Sequence, residues 1–113
     1  MEIDLDQLND LAARAEKDFD GSSYGQSVCR LHKQGQVNNR LKYCEGRDYV
    51  ARRIVKLAQE KRGPQAIEKA LAEIERKNEN IKRSLVLTSA DWQSYADGAL
   101  SMVAGIRQLF SEN

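Results

Sequence analysis

The chain has 113 residues, 18 Lys or Arg against 17 Asp or Glu, and 41% hydrophobic residues, the usual size of one domain that buries roughly two thirds of its unfolded surface in a single core. Alanine and leucine dominate the apolar set while threonine and proline occur once each, as Thr88 and Pro64, which favours an all-α fold over strands. No apolar run approaches the ~20 residues that span a bilayer, the opening Met1-Glu2-Ile3-Asp4 lacks the basic and then apolar order of a secretion signal, and two cysteines make no disulfide framework, so a cytoplasmic protein with no membrane partner is expected.

Leu5, Leu8, Leu11, Ala12, Ala15 and Phe19 recur at three- and four-residue steps, and Asp4 with Gln7 has the form of a capping box with an acid at the positive helix end. A first helix is predicted from Asp4 to Asp18, ending in a turn at Asp20-Gly21-Ser22-Ser23. Charge is segregated along the chain. Residues 1 to 20 hold seven acids against Arg14 and Lys17, residues 28 to 62 hold ten Lys or Arg against Glu45, Asp48 and Glu60, and the remainder is close to neutral. Such asymmetry marks either a face for an anionic partner or an acidic segment that folds back on a basic one.

Between Tyr24 and Arg62, Gly25, Gly35 and Gly46 interrupt the apolar positions Val28, Leu31, Val37, Leu41, Tyr43 and Cys44. Each glycine costs a helix interior ~1 kcal/mol relative to alanine, so breaks or kinks are predicted near 35 and 46. From Arg47 to Lys61 the pattern is cleaner, with Val50, Ile54, Leu57 and Ala58 on one face. Gly63-Pro64 then marks a corner, because proline suits the first turn of a new helix and discourages Gly63 from continuing the old one.

Ile67, Leu71, Ile74, Asn78, Ile81 and Leu85 alternate four- and three-residue steps, a heptad seam with one polar member. Glu73 with Lys77 and Glu79 with Arg83 have the favourable order for exposed pairs. Thr88 and Asp91 suggest the next cap, with Leu87 and Trp92 at the staple positions. A last helix follows, with a broad apolar face of Trp92, Tyr95, Ala96, Ala99, Met102, Val103, Ile106, Leu109 and Phe110. The two long helices joined by residues 86 to 89 should pack as an antiparallel hairpin, within a small single-domain bundle of four or five helices.

Several residue groups bear on function. Tyr43 and Tyr49 stand among Arg40, Lys42, Arg47, Arg52, Arg53 and Lys56, a mixture that contacts phosphates and stacks on bases; a solvated helix face with half-buried tyrosines is the plainer explanation. The spacing of Ala58, Gly63 and Ile67 does not suit a DNA-reading helix-turn-helix. Cys29, His32 and Cys44, with Asp48 as a fourth ligand, resemble a loose zinc set, but their spacing is not specific and core or half-buried residues are the commoner explanation. Nothing advertises the oriented base and oxyanion site a thiol nucleophile requires, and phosphate-loop, dinucleotide and metalloprotease motifs are absent. No cofactor is implied.

Asn78 in an aliphatic seam is the kind of residue that fixes register between paired helices, unless it simply faces solvent. Ser94, Gly98, Ser101 and Gly105 form a stripe of small side chains that lets another helix approach, whether from this chain, a twin subunit or a partner. The leading reading is a non-enzymatic interaction protein, a regulator, adaptor or inhibitor that binds another protein through a helix face, with homodimerisation through the stripe an option beside the default of packing within the chain. The alternatives are nucleic-acid binding through the basic segment, and a Cys/His metal site or thiol enzyme.

Overall fold

Asp4 opens the first helix as predicted: its Oδ1 accepts the Gln7 N–H at 3.1 Å, and its carbonyl accepts the Leu8 N–H at 3.0 Å. The computed structural model describes residues 4–23, 39–84 and 89–111. These form four helices, α1 Leu5–Ser23, α2 Asn39–Gln59, α3 Pro64–Arg83 and α4 Ala90–Ser111, with no strand among the described residues. The fold is a small all-α bundle.

Two expected interruptions do not occur. The helix of α1 runs through Asp20-Gly21-Ser22-Ser23 where a turn was predicted; Gly21 is exposed, and a glycine there weakens a helix without forbidding it. α2 likewise runs unbroken through Gly46, because the close approach of another helix needs a glycine at that point. The predicted break near Gly35 lies outside the described residues.

The corner between α2 and α3 uses two residues with positive φ. Arg62 N–H donates to the Leu57 carbonyl at 3.2 Å and Lys61 N–H to the Ala58 carbonyl at 3.1 Å, the paired bonds of a Schellman stop with Lys61 in the left-handed position at φ 56°. Glycine is the usual residue there. Gly63, at φ 87°, instead aims the chain into Pro64, the first residue of α3. α3 ends at Ser84, whose N–H reaches the Asn80 and Ile81 carbonyls, with Lys82 and Arg83 at the negative end of the helix.

At the start of α4 the side chain nearest a cap is Ser89, with Oγ 3.5 Å from the Trp92 N; Leu87 and Thr88 lie outside the described residues. α4 runs antiparallel to α3. At one end Gln93 Nε2 donates to the Ile81 carbonyl at 3.3 Å. Toward the other, Arg107 forks between Glu68 Oε1 (Nη2, 2.9 Å) and Glu75 Oε2 (Nη1, 2.6 Å). Burial works against the guanidinium charge, but the bonds and charges of Glu68 and Glu75 outweigh it and raise its pKa.

The tightest approach in the bundle is between α2 and α4. Gly46 lies against the Tyr95 carbonyl and the Ala99 nitrogen, and Gly98 against the Tyr43 carbonyl, so a Cβ on either would collide with backbone. α2 packs on all three other helices, most extensively on α4. α4 packs on both α2 and α3, and α1 covers α2. The core joins Leu8 and Ala15, Val50 and Ile54, Ile67, Leu71 and Ile74, and Met102, Val103, Ile106 and Phe110. Each large aliphatic buried there contributes about 1.5–3 kcal/mol. Among the described residues, no helix is long and apolar enough to cross a membrane.

Candidate functional site

The six basic residues singled out on α2 do not form one patch. Arg40 is exposed near the helix start. Lys42 is drawn inward, its Nζ 3.6 Å from Glu45 Oε1 and 5.2 Å from the centre of the Trp92 ring. Arg47 donates from Nη1 to Ser101 Oγ at 2.7 Å, joining α2 to α4. Arg52 and Lys56 face α1, where with Asn9 and Glu16 they line a shallow hollow. The acidic helix thus lies alongside the basic one, the fold-back that charge segregation allowed. Arg53 points to the other side.

Arg52 is engaged by Asp48, Nε to Oδ2 at 3.0 Å. Asp48 is buried, and burial pushes its carboxyl pKa above the ordinary value of 3.8; Arg52 opposes that shift, while the charges of Glu16 and Asp20 add to it. Asp48 therefore serves as an ion-pair partner. Cys44 is buried, and Cys29 and His32 lie outside the described residues. Among the described residues, no group of three His, Cys, Asp or Glu stands together to hold a metal.

The stripe on α4 is used within the chain. Gly98 is buried against Tyr43, Ser101 accepts from Arg47, and a Cβ on Gly105 would just touch Leu11 Cδ2 at 4.0 Å. Ser94 is partly covered. Asn78 is also internal: it is 5% exposed, and its Nδ2 donates to the Ile74 carbonyl at 2.8 Å, one turn back in the same helix. Its Oδ1 is buried and accepts no hydrogen bond, a situation that costs about 1–3 kcal/mol.

Where α2 and α3 diverge from the corner, they leave a groove of about 1060 Å³ closed at the back by the first turns of α4. α2 contributes Tyr49 and Arg53, α3 contributes Ile74, Arg76, Lys77, Asn78 and Ile81, and α4 contributes Trp92 and Tyr95. Tyr49 is 52% exposed and Trp92 48% exposed. Trp92 was expected on the core face of the last helix. It is instead half exposed in the groove lining, its ring edge-on to Tyr95 at 5.4 Å with the Lys42 ammonium over it. Burial, with the nearby charge of Glu45 and Tyr49, pushes the Tyr95 hydroxyl up to about 12, so it stays a protonated donor at neutral pH.

The cations of the groove are unencumbered. Glu79 and Arg83 make the predicted contact at 4.0 Å, but the predicted Glu73–Lys77 ion pair is not formed, and Arg53 and Arg76 also make none among the described residues. Sequence reasoning missed this groove, although Arg53 and Asn78 were singled out for other reasons. Its legible traces were Tyr49 and Trp92, two large aromatics that each follow an aspartate. No family model matches the chain, and neither a curated protein nor a solved structure does.

Proposed function

We propose that this chain is a non-enzymatic interaction protein that binds a segment of another protein in the groove between α2 and α3. The observation that carries the reading is that half-exposed Tyr49 and Trp92 share one concave surface with Arg53 and Arg76, which form no ion pair among the described residues. Tryptophan, tyrosine and arginine are the side chains that dominate binding energy at protein interfaces, because each offers a large area and a polar tip at low entropic cost. An open groove between two helices is the kind of surface on which an amphipathic helix of a partner is laid.

Nucleic-acid binding through α2 has less support, since Lys42, Arg47 and Arg52 are already engaged within the fold. The groove reading is tested by selecting binders from a random peptide library against the full chain. Enriched peptides should shift the fluorescence of Trp92, the sole tryptophan, and lose binding to the Tyr49→Ala variant. No enrichment over the bare display scaffold would refute the reading.

A further inference from the structure

The groove has a distinct distribution of polarity. Its floor is apolar, built from Ile74, Ile81 and the rings of Trp92 and Tyr95. Its rim is basic on both sides, with Arg53 on the α2 wall and Arg76 and Lys77 on the α3 wall, against the single acid Glu73. None of the three cations has an ion-pair partner among the described residues.

We infer that the occupant is an acidic amphipathic helix of another protein, laid with its apolar edge on Ile81 and Trp92 and its carboxylates toward Arg53, Arg76 and Lys77. This rests on the protein-binding reading and adds the chemistry of the partner. Carboxylates on both flanks of an apolar stripe match a basic rim on both sides of an apolar floor, and such complementarity selects partners and orients them. A nucleic acid fits less well. Its charge runs along one continuous backbone and its bases demand stacking faces, whereas the floor is half aliphatic and Glu73 interrupts the rim.

The experiment uses the full chain and a synthetic peptide of about four helical turns, built of leucine and glutamate in an amphipathic order, with Trp92 fluorescence as the readout. A saturable blue shift is expected. The Arg76→Glu, Lys77→Glu double variant, with an unchanged circular dichroism spectrum, should bind at least about tenfold more weakly, and a leucine and lysine twin of the peptide should be weaker by a similar factor. If the twin binds as well as the acidic peptide, the inference fails while the protein-binding reading stands. If neither designed peptide shifts Trp92 but library-selected peptides do, the inference fails alone; if those fail too, both are lost. A larger, salt-sensitive shift with oligo-dT overturns it in favour of nucleic acid, and a shift that grows with protein concentration alone overturns it in favour of a second copy.

Discussion

Asp48 is a buried carboxylate whose partner does not fully compensate for burial. With its pKa raised in the folded state, folded chains hold the Asp48 proton more tightly than unfolded ones, so the associated stability is present below the unfolded value and is lost as pH rises through the folded one. Asp48→Asn removes the charge while keeping the shape. Its urea midpoint, relative to the native chain, should therefore rise from acid to neutral pH, and a lower midpoint than the native chain at pH 7 would mean that the Arg52 contact outweighs burial. Spacing offered Asp48 only as a fourth zinc ligand; its partner Arg52, one turn on in the same helix, is seen in the folded chain. Asn78 was ambiguous. A seam position is buried or exposed according to how far the helix has rotated, and only its neighbours decide that.

At the scale of elements, the apolar steps in Leu8 to Ala15, Val50 to Ala58, Ile67 to Ile74 and Ala96 to Phe110 were sufficient to locate four helices. Glycine was harder to read, because it weakens a helix and also permits close packing, and the two effects look identical along the chain. Gly21 and Gly98 separate them. A Cβ on Gly21 meets nothing within 4 Å, whereas one on Gly98 meets the Tyr43 backbone. Gly21→Ala should stabilise the chain by about 0.4–1 kcal/mol, and Gly98→Ala should destabilise it by about 1–3 kcal/mol, both measured by urea unfolding. If Gly98→Ala were stabilising, the α2–α4 approach would be wrong. A larger residue at Gly98, such as leucine, would disrupt the chain's own packing in the same way.

For the whole molecule, the C-terminal hairpin was the part most plainly legible in the sequence, since its two stripes are the most regular. The folded chain places α4 between α2 and α3, and the α2 contact is the closer of the two. A fragment of residues 64–113 would expose the faces of Ala99, Met102 and Val103 that α2 and α1 cover. Its circular dichroism should show far less helix per residue than the full chain; a fragment as helical as the intact protein would give the hairpin the leading role. The groove was not legible for a related reason. It arises where three helices fail to meet, and periodicity within one helix reports which side chains seek cover without saying which will be left open.

The crossing of Gly46 and Gly98 also restricts how this architecture can drift in sequence. At most buried positions an enlarged side chain is accommodated when a neighbour loses a methyl group, but here the obstacles are the Tyr95 carbonyl and the Tyr43 carbonyl, main-chain atoms that no mutation can trim. A lineage that fills either position must slide two entire helices apart, and with them the walls that flank Trp92.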